Sequence, residues 1–194
     1  MGWIPLMVDL AGRKVVIAGG GAVAERRAIS LLETNADLLV IAPEISLKLR
    51  QLRHEGLITW LQKKFEPADA TDAFLIIAAT NDPAANEMVI RSAPAHALCN
   101  DAGDAQRGNV LFPSHFKRGL LSISISTGGA SPMLAAKLKQ QLERQYDEQF
   151  GEYVQFLHEA RQLVKRLAVS PEEKKALLRE ILADEYLDEQ RQRQ

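Results

Sequence analysis

Cysteine is all but missing from this chain. The 194 residues contain one, Cys99, which excludes an intramolecular disulfide framework and a cysteine-rich zinc site and fits a reducing compartment. Net charge is lacking too. With 24 basic residues against 25 acidic ones the balance is −1, so bulk charge argues for neither nucleic acid nor an anionic membrane surface, and any anionic partner must be held locally. No uninterrupted apolar stretch approaches the length of about 20 residues that a bilayer crossing needs. The opening MGWIPLMVDLAGRK has too short an apolar run, and no small-residue cleavage site after a basic region, to be a secretory leader. A soluble, cytoplasmic protein is expected. His54, His96, His115 and His158 are scattered without HxxxH or HxH spacing, and no metal site is expected.

What is present has a regular rhythm. Lys14–Ala18 (KVVIA) is a β-branched run leading into Gly19-Gly20-Gly21, and Ala22–Glu33 has apolar residues at helical spacing. Further strands are expected at Asp37–Ala42, Leu57–Leu61, Ala73–Ala79 and Ala97–Cys99, with helices at Glu44–Glu55 and Asp82–Ala93. A run as apolar as AFLIIAA suits a parallel strand covered on both faces. Alternating strands and helices imply an α/β fold with a Rossmann-type, doubly wound parallel sheet to about residue 112. Beyond it, Leu120–Ser126 (LLSISIS) alternates with period two, as a half-buried or interface strand would. From Met133 onward the composition is helical, with breaks expected near Gly151 and Ser170 and a polar tail, DEQRQRQ, expected to fray. Ser170-Pro171-Glu172-Glu173 reads as a helix start with a capping box.

Gly19-x-Gly21-x-x-Ala24 matches the dinucleotide fingerprint with alanine in its third glycine position. Gly19 permits the tight turn, Gly21 lets the backbone approach a pyrophosphate, and Ala24 allows close helix-to-sheet packing. The helix that begins at Ala22 then turns free N–H groups toward the phosphates. An acidic group is expected about 20 residues on, for the adenosine ribose. Glu44 is the nearest candidate, with Pro43 in the usual spot, although Glu44 could equally open the next helix. No arginine stands directly at that strand end, which favours NAD over NADP, while Lys48 and Arg50 keep the question open.

Three segments in order, IPLMVDLAGRKVVIAGGGAVAERRAISLL, FLIIAATNDPAANE and RGLLSISISTGGASPMLAAKLKQQLE, resemble the precorrin-2 dehydrogenase family. That family includes single-function bacterial dehydrogenases, a bifunctional yeast dehydrogenase-chelatase and the N-terminal half of a trifunctional sirohaem synthase. The resemblance implies oxidation of precorrin-2, a tetrapyrrole, to sirohydrochlorin, with NAD as hydride acceptor and a crossed homodimer as the assembly. It also implies an NAD-binding Rossmann domain at 1–112, a dimerisation region at 113–145 that holds LLSISIS and STGGASP, and a C-terminal helical domain at 146–194. Cofactor contacts carry over to Ala22, Val23, Pro43 and Glu44, with Ala79, Thr80 and Asn81 bordering the nicotinamide. The family's functional aspartate, placed after the asparagine matched by Asn100, carries over to Asp104; Asp101 is its rival, and an Asx turn in a glycine-rich loop would account for either.

A polycarboxylate substrate needs basic groups, for which Arg107, Lys117, Arg118, Lys137 and Lys139 are candidates. Thr127 and Gly128 could bring backbone close to substrate, although Ser131-Pro132 reads as N-cap and first helical residue. Ser124 and His115 complete the candidate substrate contacts. Two other readings stand beside the dehydrogenase: a bifunctional enzyme that also inserts Fe²⁺ into sirohydrochlorin, and a nucleotide-sensing module without catalysis.

Overall fold

The computed structural model describes residues 2–104 and 106–182, and the chain divides into two compact units, Met1–Phe112 and Pro113–Gln194. In the first unit, β1 (Lys14–Ala18), β2 (Asp37–Ile41), β3 (Thr59–Leu61), β4 (Leu75–Ala78) and β5 (Leu98–Asp101) form one sheet in the order β3-β2-β1-β4-β5. Every pairing is parallel. The chain builds outward from β1 to β3, then returns to place β4 on the other side of β1. That reversal opens a crevice at the carboxyl ends of β1 and β4, where ligands bind in folds of this kind.

The inner strands β1 and β4 are almost wholly apolar because both faces are covered. Val15, Ile17, Val40 and Ile77 pack with Ala24 and Ala28 of α1 (Ala22–Leu31) and Leu49 of α2 (Leu47–His54). On the other face Val16, Ala18, Ile41 and Ile76 meet Val89 of α3 (Pro83–Arg91). Burying each such aliphatic side chain contributes about 1.5–3 kcal/mol, so the sheet centre holds the unit together.

Capping chemistry sets the boundaries that periodicity left loose. α2 starts at Leu47 rather than Glu44, because the Ser46 hydroxyl accepts the Leu49 amide. It ends in a Schellman motif: Gly56 (φ 73°) donates to Arg53 O, and Leu57 N to Leu52 O. Leu57 therefore belongs to the helix stop, and β3 begins only at Thr59. α1 tightens at Leu32–Thr34 into a 3₁₀ turn that closes on left-handed Asn35.

The second unit opens with an antiparallel hairpin of β6 (Ser114–Arg118) and β7 (Leu121–Ile125). Its two-residue turn has positive φ at Gly119 alone, the pattern of a type II′ turn. No strand is expected at Ser114–Arg118 from its sequence, since SHFKR carries a single apolar residue. Three helices follow: α4 (Pro132–Gln145), α5 (Glu148–Arg166) and α6 (Pro171–Ile181). The break expected near Gly151 falls instead at Tyr146-Asp147, where Asp147 caps the Phe150 amide at 3.0 Å. Gly151 lies inside α5 for a packing reason, as a Cβ there would come within 3.0–3.1 Å of Arg118. The Ser170/Glu173 capping box forms as expected; the DEQRQRQ tail lies outside the described residues.

Candidate functional site

The glycine turn joins three strand ends. Gly19 has φ 130°, and a Cβ on it would lie 2.2 Å from Ala79 O, so the turn after β1 packs directly on the turn after β4. Gly20 is equally constrained. Its Cβ would lie 2.0 Å from Glu44 O, and its carbonyl accepts the Ser46 amide at 2.9 Å. Gly21 differs from both: it is the N-cap of α1, no side chain caps that helix, and a Cβ there meets nothing within 4 Å. The helix therefore starts without a side-chain cap, and Ala22 and Val23 of its first turn are exposed at its positive end. This geometry fits a pyrophosphate.

The fingerprint rule reserves glycine for positions 19 and 21, so it gave no role to Gly20. Close approach of the Ala42–Ser46 segment is what excludes a side chain there. Pro43 and Glu44 are both exposed on that segment. Ser46 reaches back to donate to Glu25 Oε2 at 2.5 Å, tying α2 to the first turn of α1.

At the carboxyl ends of β4 and β5 lies a cavity of about 310 Å³ lined by Thr80, Asn81, Pro83, Asn86, Asp101, Gly103, Asp104 and Arg107. It brings Thr80 and Asn81, two of the three residues expected beside the nicotinamide, together with both candidate aspartates, while Ala79 is not part of its lining. Asp101 ends β5 opposite Ala78 of β4, and its side chain is 1 % exposed. Asp104, more open at 41 %, has its Oδ2 3.1 Å from Arg107 Nε and its Oδ1 accepting the Gln106 amide at 3.0 Å. Arg107 also donates to Pro83 O at 3.3 Å. It holds the loop rather than extending free to meet a substrate.

Asn86, on α3, is the residue that sequence reasoning missed. Buried at 4 %, it accepts the Thr80 amide at 3.0 Å and the Thr80 hydroxyl at 2.7 Å, and its Nδ2 donates to Thr80 O at 3.2 Å. One amide group thus fixes the turn that borders the cavity. The available signal was a polar residue, Asn86, on the buried stripe of α3 beside Val89.

A larger concavity, of about 730 Å³, lies beside β3 at the opposite edge of the sheet, lined by Arg50, Arg53, His54, Trp60 and Gln62. It contains no carboxylate, and Arg53 is stacked on the Trp60 ring. The chemistry-bearing groups are gathered in the smaller cavity.

The remaining candidates belong to the second unit. His115 and Ser124 are directly paired across the hairpin. Arg118 Nε lies 3.3 Å from Glu148 Oε1. Gly128 and Gly129 take positive φ of 61° and 88°, and Thr127 Oγ1 accepts the Ser131 amide while Ser131 caps Leu134. The STGGASP turn is thus a structured entry to α4. Cys99 is buried, and that burial raises its thiol pKa. Among the described residues no cluster of His, Cys, Asp and Glu could hold a metal ion, and no helix is long and apolar enough to cross a membrane.

Fold and site together define a dinucleotide-binding α/β protein of the Rossmann type with a helical second unit. The NAD(P)-binding family matches residues 6–114, the sirohaem biosynthesis protein central family 118–145, and the SirC C-terminal domain family 150–194. The chain is 40 % identical over 181 residues to the precorrin-2 dehydrogenase of Priestia megaterium, covering 93 % of this chain and 90 % of that one. It is 37 % identical over 158 residues to the precorrin-2 dehydrogenase of Bacillus subtilis (strain 168), covering 81 % and 98 % respectively. A solved structure named SirC, precorrin-2 dehydrogenase, superposes with a TM-score of 0.83 at 39 % identity, covering 98 % of this chain and 96 % of that one. The chain belongs to the precorrin-2 dehydrogenase and siroheme synthase family.

Proposed function

We propose that this protein oxidises precorrin-2 to sirohydrochlorin with NAD in sirohaem synthesis. What carries this reading is the adjacency of the glycine turn to the cavity that holds the candidate aspartates. A Cβ on Gly19 would touch both Ala79 O and Thr80 N, so the glycine turn adjoins the Thr80–Asn81 turn, which borders the cavity holding Asp104. Family membership supplies the substrate class.

In this reading Gly19, Gly21, Ala22 and Val23 hold the pyrophosphate, Pro43 and Glu44 the adenosine ribose, and Thr80 and Asn81 the nicotinamide end. Bound NAD supplies a hydride acceptor. Precorrin-2 loses a hydride and a proton, and Asp104 takes the proton as general base, oriented by Arg107. Open strand ends on one side and the Asn86-braced turn on the other hold these groups in fixed register. His115, Arg118, Ser124, Thr127 and Gly128 contribute polar and basic contacts to the polycarboxylate macrocycle. Residues 1–112 form the NAD-binding domain, 113–145 a dimerisation region and 146–194 a helical domain, in a cytoplasmic homodimer.

Asp104→Ala tests the assignment. It is expected to leave the Kd for NAD within about twofold while turnover falls about 100-fold or more, the usual contribution of a positioned base. Unchanged turnover would remove Asp104 from the chemistry.

A further inference from the structure

We propose that Asp101 is a positioning residue that presents Asp104 to the substrate; this rests on the dehydrogenase reading above. Asp101 is one of three buried polar or charged residues recorded in the described chain, and a carboxylate in such a place needs partners to offset its desolvation. Its two oxygens are used differently. Oδ1 accepts the Gly103 amide at 2.8 Å and the Asp104 amide at 3.2 Å, fixing the backbone on which the Asp104 side chain is mounted. Oδ2 is buried, has no hydrogen-bond partner and lies 3.9 Å from Arg107 Nη1, and Asp101 is among the residues lining the cavity.

Arg107 closes the arrangement from the far end of the loop. Its Nε stands 3.1 Å from Asp104 Oδ2. The 101–107 loop is thus held twice over: the Asp101 carboxylate grips the backbone at Gly103 and Asp104, while the guanidinium that it attracts grips the Asp104 side chain. An Asx turn in a solvated loop would be an ordinary local device. Here the residue that makes the turn is buried at the end of β5, with its second oxygen 3.9 Å from the cation that orients the candidate base.

A residue acting through another gives non-additive losses. Asp101→Ala is expected to lower kcat about tenfold when Asp104 is present and to add no further loss in an Asp104→Ala background. KM for precorrin-2 and Kd for NAD should stay within about twofold, because the binding groups are untouched. Asp101→Asn keeps an acceptor for the two amides and should restore most of kcat. A second readout needs no turnover: amide hydrogen exchange at Gly103 and Asp104 should accelerate in Asp101→Ala and stay near wild type in Asp101→Asn. Equal losses in both backgrounds, an unchanged kcat in Asp101→Ala, or unchanged exchange at the two amides would overturn the proposal. Failure of the wild-type protein to oxidise precorrin-2 would instead overturn the functional reading, and the exchange measurement would still decide the role of Asp101 in the loop.

Discussion

A Cβ placed on Gly20 would lie 2.0 Å from the carbonyl oxygen of Glu44, whereas one placed on the adjacent Gly21 would touch nothing. The two glycines therefore differ: Gly20 is held by packing, while Gly21 borders open space, which under the proposed function is where the cofactor phosphates lie. Gly20→Ala is expected to lower thermal stability by about 1–3 kcal/mol through overpacking and to weaken NAD binding as the Ala42–Ser46 segment shifts. Gly21→Ala should leave Tm unchanged and still reduce NAD affinity at least about tenfold, since the methyl group enters the space a phosphate would fill. Thermal melts paired with NAD titrations separate the two. Loss of stability in Gly21→Ala, or tight NAD binding by it, would contradict this division.

Asn86 offers a second test. Replacement by Leu leaves the Thr80 amide and carbonyl without the partners they have now, and an unsatisfied buried group costs about 1–3 kcal/mol. Asn86→Leu should therefore raise the KM for NAD about tenfold or more, with the sheet retained by circular dichroism. A normal KM would show that Asn86 braces the turn without affecting the cofactor.

The sequence revealed the sheet more readily than the site. Val15–Ala18 and Leu75–Ala78 are covered on both faces, so their composition alone identified them as inner strands. β6 escaped because Ser114–Arg118 buries only Phe116, leaving no periodic signal. The Gly151 break misled because glycine usually punctuates a chain, while here it admits the Arg118 backbone against α5. Asp104 and Thr80 were reachable through motif resemblance. Asn86 and the double grip of Asp101 were not, because each depends on which backbone groups the folded turns bring within hydrogen-bond reach.

The C-terminal helix should respond to acid. Glu173 has its pKa lowered chiefly by the Ser170 backbone amide and then by the Ser170 hydroxyl. A carboxylate with a depressed folded pKa contributes stability above its unfolded pKa and loses it as pH falls through the folded value. Helicity of α6 should therefore be full near neutrality and decline on acidification below the ordinary glutamate range, near about pH 4. Glu173→Gln should flatten that acid limb. An identical limb in the variant, followed by NMR of the α6 amides, would contradict the capping account.

Cys99 should be chemically quiet. It is 8 % exposed and burial raises its pKa, so little thiolate is available. Reaction of the native protein with a thiol reagent should be at least about 100-fold slower than that of the unfolded chain. Rapid stoichiometric labelling under native conditions would show that the β5 edge opens.

The most direct test of the account is anaerobic incubation of the purified protein with precorrin-2 and NAD, following sirohydrochlorin and NADH by absorbance. The account predicts both products in equal amounts, dependent on NAD. Binding of NAD without either product would contradict it and leave a nucleotide-sensing protein in its place.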